Sequence, residues 1–303
     1  MTIMTNFQQK MTALLPTLEL RLEESMAKHT SFRIGGPAEV MAFPKSKEEL
    51  SQILKMSVLM DLKPVILGAG TNILAPDAGI KGLVICLKDC MDGIEQIDGT
   101  HLRVAAGVSM ARAAGFAANL GLSGLEFAHG IPGSVGGGVY MNAGAYGGEI
   151  CQICTEVEVM DMTGNLRVIS GDEMQFSYRH SRLEDEGGIV ISAVFSLTPK
   201  PEQEIRAVMQ DLMNRRRTSQ PLDLPSAGSA FKRPVGGYAA ALIDQAGLKG
   251  YRVGGAAVSE KHAGFVVNLG GATSDDVKKL LSQVADIVYE RSGIRLEPEV
   301  RIW

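Results

Sequence analysis

No run of about 18 apolar residues occurs in this 303-residue chain, so no membrane-spanning helix is expected. The first residues, MTIMTNFQQK, lack the apolar centre of a secretion signal, and a cytoplasmic protein is expected. Positive charge is not in excess: 30 Lys and Arg stand against 34 Asp and Glu, giving a net charge of −4. That balance argues against a nucleic-acid partner, and any anionic ligand must be held by local donors. Cysteine is scarce. Cys86, Cys90, Cys151 and Cys154 have no histidine spaced to complete a zinc set, so reduced thiols and no metal are expected. No GK[ST] follows a glycine turn, which excludes a P-loop.

Glycine, by contrast, is concentrated. Residues 124–148 read GLEFAHGIPGSVGGGVYMNAGAYGG, with nine glycines and only Glu126 and His129 able to carry charge. Such a stretch cannot fill a core with side chains, but it can bring bare backbone N–H groups against an anion. Pro132 stiffens its turn, while Gly133, Gly136, Gly137 and Gly138 allow close approach. Ser134, Asn142 and Tyr146 supply side-chain donors in a chain with only 5% aromatic residues. A second glycine turn, Gly68-Ala69-Gly70-Thr71-Asn72, follows a Pro-Val-Ile-Leu strand signal. Pro76 argues against a helix after it, which disfavours a nicotinamide-type Rossmann fingerprint. Alone, this turn could equally be a tight turn with no ligand. Two cradles in one chain suggest a large phosphate-bearing cofactor.

The length allows roughly two to three domains. Residues 1–28 read as a helical lead-in. A strand is expected over 39–43, then a helix opened by a Ser46–Glu49 capping box, then strands over 64–67 and 83–87. Further strands are expected over 102–105, 156–161, 166–169 and 189–197, with a hairpin turn at Thr163-Gly164-Asn165 and one Ala-rich helix over 110–120. Pro199-Lys200-Pro201 reads as a linker. Beyond it, Ile205, Val208, Met209, Leu212 and Met213 form an amphipathic face. A helix lies within 237–247 and a strand over 264–269. Thr273 caps a long helix with Val277, Leu280, Leu281, Val284 and Val288 inward, and a strand over 299–303 ends the chain.

Three polar clusters stand apart from this core pattern: 176–182, 226–234 and 296–301. Ser229, flanked by small residues, permits close substrate approach, but its hydroxyl needs assistance to act as an acid. Glu299 and Arg301 would share one face of a strand, a carboxyl beside a guanidinium suited to an anionic substrate. Arg215, Arg216 and Arg217 read either as cations at a helix C-terminus or as substrate contacts. His29 and His129 read as hydrogen-bonded polar residues, and Glu297 as a solvated one.

The chain resembles the UDP-N-acetylenolpyruvoylglucosamine reductase (MurB) family. The resemblance rests on His29-Thr-Ser-Phe-Arg-Ile-Gly-Gly36, Leu67-Gly-Ala-Gly-Thr-Asn72, Gly130-Ile-Pro-Gly-Ser-Val-Gly-Gly137, Met141-Asn-Ala-Gly-Ala-Tyr-Gly147, Ser177-Tyr-Arg179, Ala227-Gly-Ser-Ala-Phe-Lys232 and Leu296-Glu-Pro-Glu-Val-Arg301, in family order. It implies an α+β fold: a two-lobed FAD-binding unit of the vanillyl-alcohol-oxidase/PCMH type, with lobes 1–88 and 89–198, and a C-terminal α/β substrate domain over 199–303. It implies non-covalent FAD, since Thr71 stands where related oxidases attach flavin through histidine. It implies NADPH as reductant and UDP-N-acetylglucosamine enolpyruvate as substrate, in a monomer of the shorter class without an extra substrate-covering loop. Arg33, Gly68, Ala69, Gly70, Thr71, Asn72, Pro132, Gly133, Ser134, Gly136, Gly137, Asn142 and Gly144 would hold the cofactor. Arg179, Ser229 and Glu299 would be catalytic, with Ser229 the proton donor. Tyr146, Lys232 and Arg301 would position substrate. The competing readings are another FAD-linked oxidoreductase of the same fold, acting on a small alcohol or sugar, and a silent nucleotide-binding module.

Overall fold

The computed structural model describes residues 3–88 and 90–303. The chain divides into two compact units, one of 1–22, 40–69 and 82–215, the other of 23–39, 70–81 and 216–303. The third expected region, 199–303, thus enters the second unit as 216–303, joined by two stretches from the N-terminal third. Among the described residues no helix is long and apolar enough to cross a membrane.

The first unit carries two cores. A five-stranded antiparallel sheet has the order Leu166–Ser170, Cys154–Met160, Ile189–Ser196, His101–Ala105, Ile94–Gln96. Ile189–Ser196 is buried along nearly its whole length, as a central strand covered on both faces must be. The helix Met110–Asn119 buries Ala113, Ala114, Ala117 and Ala118 in the core with this sheet. Ser109 caps it, accepting from the Arg112 N–H at 3.2 Å. The second core lies between the helices Ile3–Leu14 and Lys47–Leu59 and strands that include Val65–Leu67 and Ile80–Cys86. Those two strands pair in parallel, Val65 opposite Val84. Ser46 accepts from the Glu49 N–H at 3.1 Å, but the Glu49 carboxylate takes the Lys45 N–H, so only half of the expected capping box forms.

In the second unit a four-stranded antiparallel sheet runs Ser226–Ser229, Phe265–Asn268, Ala256–Val258, Arg252–Val253. The helix Ser274–Ser292 buries Val277, Leu280, Leu281, Val284 and Val288 in its core. Thr273 and Asp276 exchange backbone bonds as a capping box, and Gly293 ends the helix at φ 70°. A short parallel pair, Ile73–Leu74 with Arg301–Ile302, completes the unit.

Four expectations need correction. The lead-in is helical only over Ile3–Leu14; Glu19–Ser25 is a strand. Leu18, Leu20 and Leu22 alternate with Glu19, Arg21 and Glu23, a two-residue period that a helical reading overlooks, although Leu22 ends 53% exposed. The Pro199-Lys200-Pro201 segment is not a free linker: Thr198–Pro199 pairs with Leu122–Ser123, and the Lys200 N–H donates to the Gly121 carbonyl. The helix that follows, Glu202–Ser219, buries only Ile205 and Met209, leaving Val208 exposed. At the C-terminus the strand is only Arg301–Ile302. A bend at Val300 separates Glu299 from it, so Glu299 and Arg301 do not share a strand face.

Candidate active site

The expected site residues fall in both units, and the boundary runs through the first glycine turn. Gly68, Ala69, the 132–146 segment and Arg179 belong to the first unit. Arg33, Gly70, Thr71, Asn72, Ser229, Lys232, Glu299 and Arg301 belong to the second.

In the first unit, the glycine segment is not all loop. Val135–Tyr140 is a short helix capped by Ser134, whose hydroxyl accepts from the Gly137 N–H at 3.5 Å. Its glycines differ in what they face. A Cβ on Gly136 would lie 2.8 Å from the Ala106 Cβ, and one on Gly138 would lie 2.9 Å from the Met110 sulfur. The Gly136 N–H is spent on the Ala106 carbonyl. Both glycines therefore serve close packing, Gly136 against Ala106 and Gly138 against Met110 of the longer helix. Gly137 and Gly68 are different. A Cβ on either would meet only the Ser134 hydroxyl, at 3.7 and 3.6 Å respectively. The two backbones and one hydroxyl thus border a common bare patch, the kind of surface that receives a phosphate. Just before the segment, His129 Nδ1 is buried without a hydrogen-bond partner, so His129 is not the satisfied residue expected. A bare glycine-lined patch with one hydroxyl at its border fits the diphosphate of a large cofactor such as FAD.

A second cluster of the first unit joins the Met141-Asn-Ala-Gly-Ala-Tyr segment to the Ser177-Tyr-Arg-His turn. Ser177 and His180 exchange backbone bonds, which leaves Tyr178 and Arg179 at the tip, with Arg179 at φ 56°. Arg179 Nη2 donates to the Gly144 carbonyl at 3.1 Å. The Asn142 amide donates to Ser177 O and Glu149 Oε2, both at 3.0 Å, and its oxygen accepts from the Cys151 N–H at 2.9 Å. Ser181, fully buried, donates to the Tyr140 carbonyl. Asn142 is itself 1% exposed. Its side chain is a scaffold brace, not the ligand donor expected, because the amide hydrogens already have internal acceptors. Tyr146 projects from the turn after it, half exposed at φ 54°.

In the second unit, Asn72 ties the glycine turn to the C-terminal segment. Its side chain donates to the Glu299 carbonyl at 3.2 Å, and its own carbonyl accepts from the Arg301 N–H at 3.0 Å. The Glu299 N–H in turn donates to the carbonyl of Ala230, the neighbour of Ser229. Ser229 ends its strand opposite Phe265, is exposed, and follows Gly228 at φ 79°, where the register shifts. That left-handed residue turns the strand end outward. Asn72, Ser229 and Glu299 are thus brought together. Lys232 lies outward, its ammonium 3.6 Å from the Glu297 carboxylate, whose side chain is 72% exposed and so solvated as expected. Arg33 is exposed at φ 55°.

Gly70 has a different reason from Gly68. At φ 66°, its Cβ would lie 2.0 Å from the His29 carbonyl, so only glycine allows the 29–30 backbone to press against the turn. The His29 ring meets Glu24 Oε1 at 2.9 Å. The four cysteines are reduced, and among the described residues no His, Cys, Asp and Glu group forms a metal site. Burial pushes the Cys90 and Cys154 thiols up to about 12, so neither is a thiolate ligand at neutral pH.

Sequence reasoning missed Ser31, which bonds both the glycine turn and the Ser226 strand. No local signal marks it, because its side-chain partner lies 195 residues away.

Comparison with known proteins agrees with this geometry. Residues 38–170 match the FAD binding domain, and residues 220–303 match the C-terminal domain of UDP-N-acetylenolpyruvoylglucosamine reductase. The chain is 47% identical to the UDP-N-acetylenolpyruvoylglucosamine reductase of Agathobacter rectalis, with 98% of each chain covered. It is 45% identical to that of Caldanaerobacter subterraneus subsp. tengcongensis, covering 97% of this chain and 96% of that one. The crystal structure of the Thermus caldophilus enzyme superposes with a TM-score of 0.79 at 36% identity, over 94% of this chain and 98% of that one. The α+β architecture, with an FAD-binding region and a C-terminal reductase domain, is that of these proteins, and the chain belongs to the UDP-N-acetylenolpyruvoylglucosamine reductase family.

Proposed function

We propose that this protein reduces the enolpyruvyl ether of UDP-N-acetylglucosamine to UDP-N-acetylmuramate, with NADPH as reductant and non-covalent FAD as carrier. The observation that carries the reading is the hydrogen-bonded assembly of the second unit. There the Gly70-Thr71-Asn72 turn, the Ser229 strand end and Glu299 are linked by backbone and side-chain bonds.

When bound, FAD would supply a two-electron hydride carrier between NADPH and the enolpyruvyl methylene carbon. Everything else falls to the chain. Gly68, Gly137 and Ser134 offer a bare backbone patch and one hydroxyl to the cofactor's diphosphate. Thr71 presents no imidazole for covalent attachment. With hydride on the methylene carbon, negative charge develops over the adjoining carbon and carboxylate. Arg179 is a donor suited to that carboxylate. Glu299 would help to stabilise the same developing charge, an interaction worth most where the charge exists only after hydride arrives. Ser229, exposed at the end of its strand, delivers the proton to the carbon bearing the carboxylate. The double bond has then gained one hydride and one proton, and NADPH has become NADP⁺. Tyr146, Lys232 and Arg301 orient the nucleotide sugar. The working unit is one chain, and its use of NADPH places it in the cytoplasm.

The test is an anaerobic titration of the purified protein. A yellow protein should bleach with NADPH and recover its colour with the enolpyruvyl nucleotide sugar. Acid precipitation should leave the flavin in the supernatant. Recovery of colour with oxygen alone would mean an oxidase of the same fold. Ser229→Ala should leave bleaching by NADPH near wild type and slow the second step by about a hundredfold or more. Normal rates in both steps would remove Ser229 from the role of acid.

A further inference from the structure

In the second unit, hydrogen bonds close into a ring. The Ser31 N–H donates to the Gly70 carbonyl at 3.0 Å. From Gly70 the chain runs through Thr71 to Asn72, which binds the Glu299 carbonyl. The Glu299 N–H returns to the Ala230 carbonyl at 2.9 Å. From Ala230 the strand leads back through Ser229 to Ser226, whose carbonyl accepts the Ser31 hydroxyl at 2.6 Å. The same hydroxyl is 3.5 Å from the Gly70 carbonyl, but it has one hydrogen, and the shorter contact is the bond.

Four stretches distant in sequence are held in this one frame: 29–31, 70–72, 226–230 and 299–301. On the reaction proposed above, two of them carry the cofactor turn and the proton donor. The Ser31 side chain bonds the strand of Ser229 to the segment that also grips the turn. Its neighbours are otherwise occupied: the Thr30 hydroxyl bonds the Ile34 carbonyl, and Phe32 is buried in the core.

We propose that Ser31 is a positioning residue, whose hydroxyl fixes the strand bearing Ser229 to the turn that holds the cofactor. In this role it acts through the backbone it holds rather than on the reacting atoms. Its hydroxyl removes the sliding freedom of one stretch against the other, and small misplacements of reacting groups are costly.

The inference rests on the proposed reductase reading, and wild-type protein separates the two: if wild type fails to bind FAD or to reduce the enolpyruvyl sugar, that reading falls first. Given an active wild type, three measurements are made on Ser31→Ala and Ser31→Thr. In the anaerobic half-reactions, Ser31→Ala should bleach with NADPH at a rate within about twofold of wild type and reoxidise with substrate about ten- to a hundredfold slower. Ser31→Thr, which keeps the hydroxyl, should restore most of that loss. In a double-mutant cycle the Ser31→Ala penalty should largely vanish on a Ser229→Ala background, because misplacing an absent donor costs nothing. Fluorescence titration of the apoprotein should show FAD bound by Ser31→Ala several-fold more weakly, and by Ser31→Thr as by wild type. Equal slowing of both half-reactions, or penalties that add in the cycle, would mean a merely structural serine and overturn the proposal. So would a Ser31→Ala enzyme with normal reoxidation and normal FAD affinity.

Discussion

Arg179 Nη2 donates to the carbonyl of Gly144 at 3.1 Å, so the guanidinium proposed to meet the substrate is anchored to the backbone of the segment bearing Tyr146. That anchoring depends on Asn142, which bonds the base of the Arg179 turn at Ser177 and braces Glu149 and Cys151 behind it.

Asn142→Ala should therefore be felt as both stability and function. The substitution strips three internal bonds at a buried position, leaves the Cys151 N–H without its partner and leaves the Ser177 carbonyl only the His180 N–H. Urea unfolding should show a loss of about 2–4 kcal/mol. Arg179, no longer braced through Ser177, should support slower turnover at saturating substrate. Unchanged stability would mean that Asn142 is not the brace described.

Three glycine substitutions should separate packing from ligand contact. Gly136→Ala meets Ala106 at 2.8 Å and should cost about 1–3 kcal/mol. Gly70→Ala puts a Cβ 2.0 Å from the His29 carbonyl at φ 66°, and should cost more than about 2 kcal/mol with loss of flavin. Gly68→Ala meets only the Ser134 hydroxyl at 3.6 Å, so unfolding should stay within about 0.5 kcal/mol of wild type. Yet its methyl occupies the bare patch, and FAD affinity should fall. A Gly68→Ala protein with normal FAD affinity would move the phosphate site away from that patch.

Acid should weaken the cap of the long helix of the second unit. N–H groups of Thr273 and Gly255, bonded to the Asp276 carboxylate, hold it below its usual value of 3.8. A depressed folded value means that the contribution is complete above the unfolded value and fades as pH falls through the folded one. Asp276→Asn should melt earlier than wild type at pH 6, and the gap should close as the pH drops below 3.8. A gap that persists in acid would point to packing instead, for instance against Gly254, where a Cβ would lie 2.3 Å from the Asp276 carboxylate.

How much of this was legible in the sequence depended on how local the cause was. The helix over Ser274–Ser292 was readable because its cap, its period and its five inward residues all lie within twenty positions. The hairpin at Thr163-Gly164-Asn165 was readable because Asp161 and Gly164 satisfy it locally. The Val135–Tyr140 helix was not, since three consecutive glycines have almost the poorest helix propensity. It forms because Ser134 caps it, Val135 and Val139 are buried one turn apart, and Gly136 and Gly138 fit against Ala106 and Met110. Of the candidate site, the glycine turns and polar clusters were visible as composition and as family motifs. The motifs could not tell that Asn142 braces and Gly136 packs, because those roles are set by partners on other elements. Nor could they show the bend at Val300, which takes Glu299 off the strand face it was expected to share with Arg301.

The Asn72 side chain reaches an acceptor on Glu299, 227 positions on, and Ser31 reaches Ser226, 195 positions on. During synthesis, the early stretches of the second unit can bond one another, as Ser31 does Gly70 and Gly36 does Pro76, but must wait for their partners at 226 and 299. Contacts of such span make for slow closure, and the first unit, whose residues end at 215, has the means to fold while the second cannot. No single cut of the polypeptide yields the second unit intact. Loss of residues 301 and 302 would strip Asn72 of the Arg301 N–H and leave Ile73–Leu74 without its strand partner, a distant lesion that is felt at residue 72.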